Sequence, residues 1–324
     1  MTIDRQTARL LQELNSQEVV PDSPIDISTA REGAYALFTG FAGPDMPGCA
    51  TRDLQMAGPE GKIPVRLYTP LGAAEGGRPT VVFFHGGGWS LGNVAAYDGL
   101  VRALCCLSGV NFLSVDYRLA PEHPYPAAFE DCLAVTREML DHGEKIGCDT
   151  ARVAVMGDSA GGTLAAAVAG RIHSRSSLRL KAQFLLYPVL DISQPHEYYA
   201  SRMTWGNGDY LLSREGIDRA ADWYVPDRAL RSRPEISPLR QAKPEIMPPT
   251  VLVVGEYDPL HDETMTYARK LVAAGVPCEV KVFEGAIHAF LSFGILDQAW
   301  AGRRYLADRL RAFLDGSVAS ARRI

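Results

Sequence analysis

One stretch constrains this chain more than any other: Gly157-Asp158-Ser159-Ala160-Gly161, followed directly by Gly162. Ahead of it runs RVAVM (Arg152–Met156), an apolar segment of strand length. Behind it runs the small-residue stretch TLAAAVAG, which has helical composition. A G-x-S-x-G pentapeptide between a strand and a helix forces a sharp turn. The residues flanking the serine must be small, and the serine hydroxyl is lifted clear of the sheet edge. An ordinary tight turn is the competing reading, and the strand before and helix after favour an exposed nucleophile at Ser159.

The rest of the chain repeats the same rhythm. Thr80–Phe84, Val110–Asp116, Gln183–Tyr187, Thr250–Val254 and Glu279–Phe283 are short apolar runs of buried parallel-strand type. Between them, Asn93–Leu107, Ala127–His142, Ala160–His173, Glu263–Ala274 and Gln298–Leu314 read as helices. In Ala127–His142, Phe129, Cys132, Leu133, Thr136 and Leu140 fall on one face. Arg52–Tyr68 reads as extended, with a Gly/Pro-rich break over Thr69–Pro79. Alternating strands and helices imply right-handed crossovers and a mostly parallel sheet with helices on both faces. The functional site is then expected at the carboxyl ends of the strands.

Two regions fall outside this rhythm. Residues 1–48 hold two expected helices, one around Gln6–Leu14 and one opening at Thr29, where Glu32 gives capping-box spacing. Residues 190–244 interrupt the core between two strands and are rich in Trp, Tyr, Arg and Pro. An insertion of that length is more often a lid than a linker. The expected organisation is therefore an N-terminal part of a helical cap over 1–48 and a catalytic domain over 49–324, with a cap insertion at about 190–244.

Composition narrows the function classes. With 324 residues, 47 % hydrophobic and 22 % charged, the chain can bury a sizeable core. A formal net charge of −5 argues against nucleic acid or an anionic membrane as the main partner. The apolar runs are strand-sized, far short of the roughly 20 residues of a membrane span. The opening MTIDRQTARLLQELN lacks the pattern of a secretory signal. Cys49, Cys105, Cys106, Cys132, Cys148 and Cys278 form no C-x-x-C pair. The expectation is a cytoplasmic chain with free, mostly buried thiols, no metal site and no cofactor.

A serine hydroxyl needs a base within hydrogen-bond reach, and the base needs an orienting acid. Downstream of Ser159 stand His173, His196, His261 and His288. His173 lies late in a helix and reads as a solvated surface residue, and His196 falls in the insertion. His288 follows the strand EVKVFEG at its carboxyl end and is the favoured base, with His261 as the alternative. The acid belongs after TVLVVG, in Glu256-Tyr257-Asp258-Pro259-Leu260-His261-Asp262-Glu263. Asp258 stands nearest the expected loop position. Glu256 and Asp262 are alternatives, although Asp262 and Glu263 also suit a helix start. His85-Gly86-Gly87-Gly88-Trp89 follows another strand, and its glycines let bare N–H groups approach a developing oxyanion. Trp89 is expected to pack rather than react.

Taken together, HGGGW at 85–89, DYRLAPEHPYPAA at 116–128, GDSAGG at 157–162, EYDPLHDE at 256–263 and GAIHAF at 285–290 resemble the hormone-sensitive-lipase-like bacterial carboxylesterases. The resemblance runs from about Thr29 to the C-terminus. It implies an α/β-hydrolase fold with a helical cap and a Ser159–Asp258–His288 triad. It also implies an oxyanion hole from the N–H groups of Gly87, Gly88 and Ala160, supported by His85, Gly86, Trp89 and Asp158. The implied substrate is a small ester cleaved through an acyl-enzyme; an amidase, a lactonase or a non-catalytic small-molecule receptor are the alternatives. Relatives of this kind often pair through the sheet edge, so a homodimer is one expected state. His261 stands where the family commonly has arginine, and Ala289 where it commonly has glycine. The block Tyr117–Ala128 has no function that spacing alone reveals.

Overall fold

The apolar runs 81–84, 111–115, 153–157, 183–186 and 250–254 are buried throughout, as strands in the middle of a sheet covered on both faces must be. A computed structural model describes residues 3–16, 26–72, 77–175 and 178–315. In it the strands are β1 (Cys49–Gly58), β2 (Gly61–Pro70), β3 (Arg78–Phe84), β4 (Asn111–Val115), β5 (Cys148–Asp158), β6 (Gln183–Leu186), β7 (Thr250–Tyr257) and β8 (Cys278–Ile287). They form an eight-stranded sheet in the order β1-β2-β4-β3-β5-β6-β7-β8. β2 pairs antiparallel with β1 and β4, and from β4 to β8 every neighbour is parallel.

The helices are α1 (Arg5–Asn15), α2 (Ile27–Gly40), α3 (Asp98–Ser108), α4 (Ala127–His142), α5 (Ala160–Arg175), α6 (Ala200–Trp205), α7 (Arg214–Tyr224), α8 (His261–Ala273) and α9 (Asp297–Leu314). Side chains alternate across a strand, so the sheet feeds two cores. Val82, Leu113, Val155, Leu185 and Leu252 pack against Phe129 of α4, Leu164 of α5 and Leu271 of α8. Val81, Phe112, Met156, Phe184 and Val253 pack against Leu100 and Leu104 of α3 and Leu306 and Leu310 of α9. All five residues expected on one face of α4 are buried. This is the doubly covered, mostly parallel architecture expected from the alternation, and it fits the α/β-hydrolase fold that the resemblance implies.

Local boundaries differ for identifiable reasons. The extended region 52–68 is two strands, because Pro59-Glu60 turns the chain into a β1–β2 hairpin. The break expected over 69–79 contributes both ends to strands, and its centre, 73–76, lies outside the described residues. Asn93 does not open α3; its Oδ1 accepts the Ala96 N–H at 2.8 Å in a turn, and the helix starts at Asp98. Nor does Thr29 cap α2. Asp26 does, its carboxylate accepting the Thr29 N–H at 3.2 Å, so Thr29 sits inside the first turn. Part of the 1–48 region, residues 1–2 and 17–25, also lies outside the described residues.

The two N-terminal helices take different positions. α1 buries Leu10 and Leu11, and its N-terminal end touches β8, where Asp4 N–H donates to Gly285 O at 3.3 Å. α2 instead reaches the carboxyl end of the sheet, where Phe38 lies 5.0 Å from Tyr97 and 6.2 Å from Phe293 between ring centroids.

Candidate active site

Ser159 occupies the turn between β5 and α5 with φ +53°, a left-handed backbone that an L-residue adopts only under constraint. Close packing supplies the constraint. A Cβ on Gly157 would stand 2.1 Å from Gly161 O, and one on Gly161 would stand 2.0 Å from Phe84 O. Neither contact can relax, since both partners are backbone. Ser159 N–H donates to Leu186 O at 2.8 Å, tying the turn to the neighbouring strand.

The two groups expected from later strands arrive at this serine. His288 follows β8, and its Nε2 lies 3.0 Å from Ser159 Oγ. Its Nδ1 lies 2.9 Å from Asp258 Oδ2, and Asp258 follows β7. Asp258 is fully buried and its other oxygen accepts the Leu260 N–H at 2.8 Å. A carboxylate can only accept, so Nδ1 carries the proton and the Nε2 lone pair faces the hydroxyl. The Tyr187 ring meets the imidazole edge-on at 5.1 Å and limits its rotation.

The alternatives go elsewhere. Asp262 Oδ2 accepts the Ser201 N–H at 2.8 Å, holding the start of α6. Glu256 accepts the Gly285 N–H at 2.9 Å. His261 begins α8, with Nδ1 3.5 Å from Asp262, and His196 lies 3.1 Å from Asp218. His173 is not a solvated surface residue. Its Nε2 accepts the Leu180 N–H at 3.1 Å, and burial pushes its pKa down to about 4.

Opposite the histidine, the glycine loop faces the same serine. Gly87 and Gly88 have φ of +105° and +59°, and a Cβ on Gly87 would stand 2.4 Å from Leu91 O. Among the described residues, no protein acceptor takes the N–H groups of Gly87, Gly88 or Ala160. His85 is buried and braces this loop: Nδ1–H donates to Gly86 O at 2.8 Å, and burial depresses the imidazole pKa, keeping it neutral. Asp158 accepts the Gly86 N–H at 2.7 Å. Burial pushes the Asp158 carboxyl up to about 7, with Gly86 N–H and His288 pulling the other way. Trp89 packs, stacked on Tyr224 at 4.7 Å.

Spacing alone missed several supporting residues. Tyr117 hydroxyl donates to His85 O at 2.7 Å, and its ring stacks on His85 at 4.3 Å. Arg118 is fixed by Asp131 through bonds of 2.9 and 2.8 Å. Ala120 N–H donates to Trp89 O at 3.0 Å. The block 117–128 is therefore a brace under the glycine loop, and the dense Tyr/Arg/Pro motif was its only sequence signal. Arg202, buried in the insertion, pairs with buried Glu263 of α8.

Above Ser159 opens a cavity of about 290 Å³. Its walls are Leu37 and Phe38 of α2, Leu211 and Leu212, Ile217, Ala220 and Trp223 of α7, and the glycine loop with His288. A serine hydroxyl, a histidine held by a buried carboxylate, N–H groups with no protein acceptor among the described residues and an apolar cleft thus share one end of the sheet, an arrangement suited to acyl transfer. Among the described residues, no group of three or more His, Cys, Asp or Glu is placed to hold a metal ion. All six cysteines are free thiols. Among the described residues, no helix is long and apolar enough to cross a membrane.

Comparison with known proteins gives the family. Residues 81–292 match the family described as alpha/beta hydrolase fold. Esterase LipI of Mycobacterium tuberculosis is 37 % identical over 268 residues, spanning 82 % of each chain. The ethyl acetate hydrolase of Pseudomonas putida is 33 % identical over 310 residues, 92 % of this chain and 93 % of its own. Among solved structures, the ester hydrolase EH1AB1 from the Lake Arreo metagenome, bound to a bipyridine phosphonate derivative, superimposes with a TM-score of 0.91 at 32 % identity. That match covers 96 % of this chain and 99 % of the other. The Pyrobaculum calidifontis esterase gives a TM-score of 0.87 at 32 % identity, covering 98 % and 100 %.

Proposed function

This chain belongs to the α/β-hydrolase fold family, as an ester hydrolase of its hormone-sensitive-lipase-like branch, and on that premise we propose that it cleaves short- to medium-chain acyl esters through a Ser159–His288–Asp258 triad. The observation that carries this reading is the unbroken relay of 2.9 and 3.0 Å from Asp258 through His288 to Ser159.

Ser159 Oγ attacks the ester carbonyl carbon while His288 Nε2 takes its proton. The carbonyl electron pair moves onto oxygen, where the N–H groups of Gly87, Gly88 and Ala160 receive it. Each such donor is worth about 10²–10³ in rate. The tetrahedral species collapses, His288 returns the proton to the departing alkoxide, and the alcohol leaves an acyl-Ser159 behind. Water then attacks with the same proton traffic in reverse order, releasing acid and free enzyme. Asp258 stays ionised and steadies the imidazolium.

Chain length follows from the walls. A volume of about 290 Å³ holds on the order of ten water-sized groups, shared between acyl and alcohol parts. Acyl chains of roughly eight carbons or fewer fit. Of the regions outside the βα rhythm, α2 and the insertion at 190–244 act as the cap, with α2 and α7 supplying cavity walls, while α1 docks against β8.

The test is a chain-length series of para-nitrophenyl esters, alongside amides and lactones, with fluorophosphonate labelling. The wild type should be labelled at Ser159 and prefer short to medium esters. Ser159→Ala should lose labelling and fall below about a thousandth of wild-type kcat, a bound that leaves room for the small residual catalysis of the oxyanion hole. A folded Ser159→Ala enzyme that keeps its rate, or a wild type preferring amides, lactones or long-chain emulsions, would sink the reading.

A further inference from the structure

Charge is scarce in the walls of the cavity over Ser159. Besides the imidazole of His288 and the fully buried Asp158, one ionised side chain among the described residues lines it: Arg219 of α7. Its guanidinium lies 5.9 Å from the ring centroid of Trp223, one turn further along the same helix and also a wall residue. Stacking on an indole orients the guanidinium without neutralising it.

Neighbouring arginines of the insertion are accounted for. Arg202 holds Glu263, Arg228 and Arg231 share Asp222, and Arg240 holds Asp191. Arg214 donates to the carbonyls of Arg202 and Met203, each at 3.3 Å. Carboxylates that could have served Arg219 are occupied or out of range. Asp218 faces His196 and Asp222 is taken. Glu215 stands one turn earlier on α7, at the i−4 position, yet forms no ion pair with Arg219. Arg219 therefore presents an exposed, oriented cation with no carboxylate partner among the described residues, at an otherwise apolar cleft.

A guanidinium is weakly hydrated and matches the paired oxygens of a carboxylate. Resting on the esterase reading above, the geometry points to Arg219 as a specificity residue that favours esters carrying an anionic oxygen group, a carboxylate, at the end remote from the scissile bond. A phosphate would present the same oxygens and is separated from a carboxylate by experiment. The contact is exposed at the cleft, so solvent and salt limit it to about a fivefold preference.

The experiment compares matched pairs by the ratio of kcat/KM, charged over neutral. On the acyl side the pair is para-nitrophenyl hydrogen adipate and its methyl ester. On the alcohol side it is the acetate of para-hydroxybenzoate and of its methyl ester. The acetate of para-hydroxyphenyl phosphate forms the phosphate arm. In at least one carboxylate pair the wild-type ratio should exceed that of Arg219→Met about fivefold, with Arg219→Glu lower still and Arg219→Lys restoring part of it. The difference should shrink as salt rises. Arg228→Met, which removes the same charge outside the cavity, should leave the ratio at the wild-type value. Equal ratios in wild type and Arg219→Met on both carboxylate pairs overturn the proposal. So does an equal loss in Arg228→Met, or an effect confined to the phosphate arm. Turnover of the neutral members reports separately on the esterase reading, because it does not depend on the ratio.

Discussion

The guanidinium of Arg202 meets the carboxylate of Glu263 with both side chains essentially sealed from solvent. Arg202 also donates to Asp191 O at 2.6 Å, and Glu263 accepts the Leu190 N–H at 2.7 Å. Glu263 lies five residues after Asp258, so this pair ties the insertion to the helix that follows the proposed catalytic acid. A buried pair is expensive to break from one side, because the remaining charge keeps its desolvation cost. Arg202→Leu and Glu263→Leu should each lose about 3–5 kcal/mol of stability, whereas the double variant should lose much less than their sum. Urea unfolding of all four proteins measures the coupling, and additive losses would show that the two charges do not depend on each other.

Asp258 and Asp262 stand four residues apart with different partners. Asp258→Asn keeps its oxygen on the Leu260 N–H and turns an NH2 donor toward His288 Nδ1, so it enforces the wrong imidazole tautomer and should cost about 10⁴ in kcat. Asp262→Asn keeps a side-chain oxygen for the Ser201 N–H. It should cost no more than about 1 kcal/mol of stability, with little change in kcat. Parallel kinetics on purified, folded variants decide the matter. A large rate loss in Asp262→Asn with a small one in Asp258→Asn would move the acid.

What could be read from the sequence divides by the range of the interaction. Ser159 was legible because its constraint is local: Gly157 and Gly161 are forced by backbone within the turn and the adjacent strand. His288 and Asp258 were legible because parallel strands deliver their carboxyl ends to one edge of the sheet. The brace of Tyr117 on His85, 32 residues apart, was not, and neither was Arg202 with Glu263, 61 residues apart. Nothing in local spacing says which distant charge an arginine will meet. Ala289, a departure from the family's usual glycine, proves to sit at φ +60°. That left-handed position explains the glycine preference, since a Cβ there costs about 1–2 kcal/mol. The start of α2 was ambiguous in the sequence because aspartate and threonine are both good caps; in the fold the Asp26 carboxylate accepts the Thr29 N–H and the helix begins at Ile27.

His173 should make the protein acid-sensitive. Its Nε2 must stay unprotonated to accept the Leu180 N–H, and its folded pKa is pushed down to about 4. An unfolded histidine titrates near 6.5. Between those values the unfolded chain binds a proton that the folded chain does not, so stability present above about pH 6.5 is lost as pH falls toward 4. His173→Gln cannot titrate. Its Tm should fall less steeply over that window than the wild-type Tm, measured in the same buffers so that the carboxylates cancel. Parallel Tm profiles would mean that His173 takes up its proton without cost.

The two N-terminal helices should separate by experiment, because they touch different things. Leu11 on α1 is buried in the core that also holds β8 and α9 residues and does not line the cavity. Phe38 on α2 lines the cavity, wedged between Tyr97 and Phe293. Leu11→Ala should therefore cost about 2–5 kcal/mol of stability through the void it leaves, with the acyl-chain profile unchanged. Phe38→Ala moves a wall back and gives the acyl chain room for several more methylenes. Each methylene in an apolar pocket is worth about 1–3 kcal/mol between competing substrates. Relative to a butyrate ester, kcat/KM for a decanoate ester should then rise at least tenfold in Phe38→Ala. Removing residues 1–45 altogether should combine the two effects, with kcat/KM on short esters falling as the cleft opens to water. If Phe38→Ala keeps the wild-type profile while Leu11→Ala shifts it, the wall belongs to α1 and the assignment of α2 to the cap is wrong.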